Sequence, residues 1–219
     1  MAVVAADECV HPRSGLGRIA RSMDAVDPTK PPVVRARATQ DMLAVIDEFE
    51  AGLEAKLRAK APAEALDTVE EAATTAYLPT RITSQVVLAA VDLVGRERAV
   101  KLWRFFFVRR YGRSPILRAI VTGALRLFGI SPASLYRQVQ RNWHTTYRNM
   151  CVPSVYFPEE NRVVIHLRDV HPEILEEYPD YLLALQGGLE GMTEMAGADG
   201  TSTMRIDKDA REVEIEITW

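Results

Sequence analysis

Hydrophobic positions return every three or four residues through most of the first 148 positions, then every second residue in two later stretches. Thr39 predicts the cap of a helix from Gln40 to about Ala59, along which Leu43, Ile46, Phe49, Leu53 and Leu57 share one stripe. Pro62 opens a second helix to about Thr75, ended by Tyr77-Leu78-Pro79, and a third runs from about Thr80 to Val94, where Gly95 stops it. The next helix, Arg96 to Tyr111, ends at Gly112. Ser114-Pro115 and Ser131-Pro132 each pair an N-cap with proline at the first helical position. They predict one helix closing at Gly129 and another reaching about Arg148. PPVVRA, at 31–36, reads as a short strand or an extended lead-in, and residues 1–32, without apolar periodicity, read as a flexible tail.

After Cys151 the period becomes two. SVYF, the turn PEEN and RVVIHL predict a hairpin in which Val163, Ile165 and Leu167 alternate with Val164, His166 and Arg168. Pro172 and Pro179 bracket a broken helix that ends at Gly197. TSTMRI, DKDA and REVEIEITW predict a second hairpin, with Val213, Ile215, Ile217 and Trp219 on one face and Glu212, Glu214, Glu216 and Thr218 on the other. The expected fold class is α+β: an N-terminal helical bundle packed with a four-stranded antiparallel sheet built from two hairpins, in one domain over 33–219.

Charge changes this picture. The net value of −3 conceals a basic block: residues 96–148 hold 12 basic side chains against Glu97 alone, while 149–219 hold 5 basic against 15 acidic. Such a block can meet an acidic partner or an anionic membrane, or it can pack against the acidic C-terminal half of the same chain. A sequence pI near 5.9 and the absence of a nucleic-acid motif set DNA and RNA aside. No apolar run reaches the roughly 18–20 residues that span a bilayer. The acidic start MAVVAADECV lacks a signal-peptide pattern, and two cysteines cannot build a disulfide framework. The expected location is cytoplasmic.

Catalytic patterns are missing. There is no G-x-S-x-G elbow, and Cys151 stands alone where a helix gives way to a strand, a position suited to a packed thiol. His166 and His171 flank a strand end that cannot turn both rings to one metal. The run Gln186-Gly187-Gly188-Leu189-Glu190-Gly191 lies in helical periodicity, so its small residues predict close approach of that helix to a sheet, not a phosphate loop. In LWRFFFVRRY, Leu102, Trp103, Phe106 and Phe107 share a face, either as core with snorkelling arginines or as a surface helix for a membrane or partner. Arg137, Arg141, His144 and Arg148 form a stripe on the last predicted helix, beside one of Tyr136, Val139, Trp143 and Tyr147. The basic stripe can hold an anion or pair with Glu173, Glu176 and Glu177.

The order of these pieces resembles a known family. Tyr77-Leu78-Pro79, Gly95 before the aromatic-basic helix, RNWHTTYR, RVVIHLRD, QGGLEGMTEMAG and the closing EIEITW look like uncharacterised paralogous proteins of myxobacteria. These are related in fold to haem–nitric-oxide-binding (H-NOX) domains, vinyl-reductase-type sensor domains and TRAPP subunits, and the likeness covers roughly residues 33–219. The resemblance implies helices and an antiparallel sheet enclosing an apolar cavity, which relatives use for haem, phenols or acyl chains, often as dimers. Haem-binding relatives carry a proximal histidine and a Tyr-x-Ser-x-Arg strand motif. Here the strand reads Val164-Ile165-His166-Leu167-Arg168, matching only the arginine, and the cysteines that bind zinc in some sensor relatives are missing.

The expected function is therefore a non-enzymatic sensory, ligand-binding or scaffold domain of bacterial signalling, without haem or other cofactor. The alternative is an interaction or membrane-docking adaptor using helices 96–148. Any ligand is expected to be apolar and lined by Phe105, Phe106, Leu125, Phe128, Tyr136 and Trp143, with Arg141 or His144 as polar anchor at the rim. The expected partners are a second copy of the chain, an apolar small molecule, and a protein or anionic membrane surface.

Overall fold

A computed structural model describes residues 25–113 and 131–219. Four short helices lead the chain: α1 (Ala36–Leu43), α2 (Ile46–Phe49), α3 (Leu53–Lys60) and α4 (Ala63–Glu71). The long helices α5 (Thr80–Val94) and α6 (Arg96–Arg113) follow, then α7 (Pro132–Asn142), α8 (Pro172–Glu176) and α9 (Tyr181–Met195). The helix expected over 40–59 is thus three helices, and its start is Ala36, with Thr39 buried inside α1 rather than capping it. Gly52, at φ 77°, breaks the run because the left-handed region is cheap only for glycine. The apolar stripe survives the break: Leu43, Ile46, Leu53 and Leu57 all point inward. Gly95 ends α5 at positive φ, and Ser131 caps α7 by accepting from the Ser134 amide. The helix expected at 114–129 lies outside the described residues.

The main sheet is antiparallel in the order β4 (Val152–Glu159), β5 (Arg162–Arg168), β7 (Glu212–Thr218), β6 (Thr201–Asp207). Both expected hairpins are present, and β5 pairs with β7 to join them. Val163, Ile165, Leu167, Val213, Ile215 and Ile217 are fully buried on the core face. On the opposite face polar groups meet across strands: the Arg162 guanidinium pairs with Glu216 at 2.6 Å, and His166 Nε2 lies 3.1 Å from a Glu212 carboxylate oxygen. A one-residue slip would drive three glutamates into the core, so alternation fixes the register.

A second sheet was not foreseen. β1 (Val33–Arg35) pairs antiparallel with β2 (Tyr77–Pro79) on one side and β3 (Tyr147–Arg148) on the other. The helix expected to reach Arg148 accordingly ends at Asn142, and residues Trp143–Thr145 form a 3-10 turn. The β-branched pair Thr145-Thr146 favours leaving the helix, and the edge of β1 supplies backbone partners once it does. Arg35 donates its amide to the Thr146 carbonyl at 2.8 Å. The predicted basic stripe therefore dissolves. Arg137 and Arg141 stay on α7, His144 is in the turn, and Arg148 is on a strand.

The glycines of α9 meet a helix, not the sheet. A Cβ on Gly187 would stand 2.3 Å from the Val100 carbonyl oxygen and 2.8 Å from Trp103 Cβ, both on α6. One on Gly191 would stand 3.0 Å from Phe107. These two small residues, four apart, let α9 lie backbone-close along α6. The expectation named the right residues and the wrong neighbour.

Candidate functional site

Helices α1, α6, α7 and α9 leave between them a cavity of about 340 Å³. Its inner wall is buried and apolar: Met42, Val87, Trp103, Phe106, Leu185 and Leu189. Tyr181 and Trp143 add large rings, and Phe107, Val139, Met192 and Met195 continue the wall outward. Gln138, Asn142 and Thr145 are exposed and mark the mouth, near Arg110. A ligand here meets a hydrophobic floor with a polar rim, the usual form of a small-molecule site.

The wall is built from helical repetition. Tyr181, Ala184, Leu185, Gly188, Leu189, Met192 and Met195 recur at three and four residues along α9, so one face of that helix supplies a third of the lining. Gly188 faces the cavity, and a Cβ there would meet only Phe107 Cδ2, at 3.7 Å. The 3-10 turn brings Trp143 in. It is pinned by the Tyr77 hydroxyl, which donates to the carbonyls of His144 and Thr145 at 3.0 Å each. The Trp143 ring packs on Tyr147 with centroids 4.6 Å apart. Burial holds the Tyr181 phenol well above the ordinary tyrosine value, so it stays protonated, with its hydroxyl against Thr83.

Of the eight predicted lining residues, the structure brings Phe106 and Trp143 to this cavity. Phe105 does not line it: its ring lies 5.6 Å from Phe49, under the Arg109 guanidinium. Tyr136 is core. Its hydroxyl donates to the Leu189 carbonyl at 2.8 Å and lies 2.7 Å from Thr193 Oγ1, and its ring stacks on Trp219. Arg141 and His144 are exposed and are not part of the lining. Leu125 and Phe128 lie outside the described residues. The prediction missed Phe107, Tyr147, Tyr181, Met192 and Met195, although the three-four repeat on α9 carries a legible signal for most of them.

The basic helix α6 spends its charge within the chain. Arg98 pairs with Glu50, Arg104 with Glu194 and Asp199, Arg110 with Asp41, and Arg96 with Asp180. On α7 and β3, Arg137 lies over the Phe157 ring and Arg148 over Tyr77. No helix among the described residues is long and apolar enough to cross a membrane.

Three groups with chemical potential lie apart from the cavity. Cys151 is buried, and burial pushes its thiol up, which disfavours the nucleophilic thiolate. His166 stands on the outer face of the sheet against Glu212. His171 is buried and caps α8, its Nδ1 accepting from the Glu173 amide at 3.2 Å. Burial raises the Glu173 carboxyl above the usual range, against the pull of His171 and Arg81. Its folded-state value therefore exceeds the unfolded one, and folding loses stability as pH rises through that window. Glu173→Gln is expected to raise the melting temperature at neutral pH, the gain vanishing in acid where both states hold the proton. Melting curves across a pH series check this, and a variant less stable at neutral pH would contradict it.

No protein-family model matches the chain, and no curated protein matches it in sequence. Solved structures do match in shape. An Fe(II) unliganded H-NOX protein from K. algicida superposes with a TM-score of 0.53 at 10% identity, over 84% of this chain and 95% of that one. An oxygen-binding H-NOX domain related to soluble guanylate cyclases, in its oxygen complex, gives a TM-score of 0.50 at 8% identity, over 84% and 94%. The chain has an H-NOX-like α+β fold.

Proposed function

We propose that this domain is a non-enzymatic sensory module of bacterial signalling that takes an apolar small molecule, and not haem, in the cavity between α1, α6, α7 and α9. The observation that carries the reading is the cavity itself: 340 Å³ with an aromatic and aliphatic floor, in a fold whose solved neighbours include an oxygen-binding domain. The volume lies at the small end of the roughly 300–1,000 Å³ that ligand pockets occupy. The haem-free clause rests on the histidines. His144 is exposed in its turn, His166 is on the sheet, His171 caps α8, and none of the three lines the cavity. The strand motif of the haem-binding relatives is reduced to Arg168, which is exposed. Cys151 is buried and its thiol is pushed up, which supports a binding role over thiol catalysis.

Gly188→Leu tests the cavity. The new side chain enters space that ends at Phe107, so binding of the neutral fluorophore N-phenyl-1-naphthylamine is expected to fall about tenfold or more, with the melting temperature unchanged or raised. Undiminished binding would place the site elsewhere. Haemin titration tests the second clause: a sharp Soret band at one equivalent would overturn it.

A further inference from the structure

Two guanidinium groups share one aromatic ring on the small sheet. Val34 is buried, so Val33, Arg35 and their cross-strand neighbours take the outer face. Arg35 lies opposite Tyr77 in the β1–β2 pair, and Arg148 lies opposite Val33 in the β1–β3 pair. Their guanidinium carbons stand 5.6 Å and 3.8 Å from the centroid of the Tyr77 ring. Neither meets a carboxylate among the described residues, whereas Arg96, Arg98, Arg104 and Arg110 all do. Arg148 is exposed, and Arg35 buries its Nε but not its two terminal nitrogens. A guanidinium over a ring keeps its edge N–H donors free, and that fork fits a phosphate.

The surrounding backbone fixes the pair. The Tyr77 hydroxyl donates to the carbonyls of His144 and Thr145. Asn149, at φ 53°, follows Arg148 directly; its side chain donates to the carbonyls of Asp27 and Lys30 and accepts from the Asp27 amide at 2.7 Å. This clamp also carries the Asp27 carboxylate, which is already engaged by Thr29 and Lys30. Two like charges over one ring repel, and a bound dianion removes that repulsion.

We propose that Arg35 and Arg148 form an anion site for a phosphate monoester, each guanidinium donating edge N–H groups to phosphate oxygens beside Tyr77. The site is separate from the cavity and does not depend on its ligand.

The test is calorimetry on the full chain with glycerol phosphate, and sedimentation with phosphatidylcholine vesicles made with and without phosphatidic acid. Saturable binding of glycerol phosphate identifies a free monoester as the source; binding only to vesicles that contain phosphatidic acid identifies a lipid head group. Arg148→Gln is expected to weaken whichever binding is seen by about tenfold or more, and Arg148→Lys by less, because lysine keeps the charge and loses the fork. Without phosphate, Arg148→Gln should melt no lower than the wild type, since it removes a like-charged neighbour. Arg205→Gln, the same change of charge on the main sheet, should bind as the wild type does. Binding of neither probe, or equal losses in Arg148→Gln and Arg205→Gln, would overturn the proposal.

Discussion

Gly187→Ala is expected to lower the melting temperature by roughly 6–12 °C, the equivalent of about 3 kcal/mol in a domain of this size. One methyl does this because the atom it meets is a backbone carbonyl, Val100 O at 2.3 Å, which cannot swing aside as a side chain can. α9 would have to back away from α6, opening the seam that Trp103 and Phe107 close. The neighbouring substitution sharpens the test. Gly188→Ala places its methyl in ordinary contact and removes a helix-interior glycine, so it should stabilise by about 1 kcal/mol. Equal effects at the two positions would mean that the seam does not decide the packing.

Ile165→Ala should cost about 2–5 kcal/mol. Ile165 is wholly buried on an inner strand, opposite Val155 in β4 and Ile215 in β7, so the cavity it leaves is walled by strands that cannot collapse inward. Denaturant titration should show a lower midpoint with an unchanged slope. Ile206→Ala on the edge strand β6, where the side chain is partly exposed, should cost less. A loss below about 1 kcal/mol at Ile165 would place the core elsewhere.

The main sheet was legible because its signal is local and self-consistent. Val213, Ile215 and Ile217 alternate with three glutamates, and one residue of slip reverses every side chain. The helix α5 was legible because Pro79 and Gly95 bound it. The second sheet was not, because its strands are two or three residues long and find one another across the chain; Tyr147 and Arg148 carry a helical pattern until β1 competes for them. The site was half legible for a related reason. Aromatic residues on a helix announce burial but not which side of the helix holds the empty space. Phe105 and Phe106 are adjacent, yet one packs on Phe49 and the other lines the cavity. Tyr136 and Trp143 share one stripe in the sequence, but the turn after Asn142 separates them in the fold.

The small sheet β2-β1-β3 also sets an order of events during synthesis. β1 waits for β2, some forty residues later, and then for β3, more than one hundred residues along the chain. Until Tyr147 leaves the ribosome, the amide of Arg35 lacks the Thr146 carbonyl, and the turn that carries Trp143 does not exist. Helices α1 to α5 can collapse on local contacts, whereas the cavity wall closes only after most of the chain has been made. A nascent chain halted before position 147 would be a helical intermediate with an open seam, the stage at which a chaperone or an early-arriving ligand would find it.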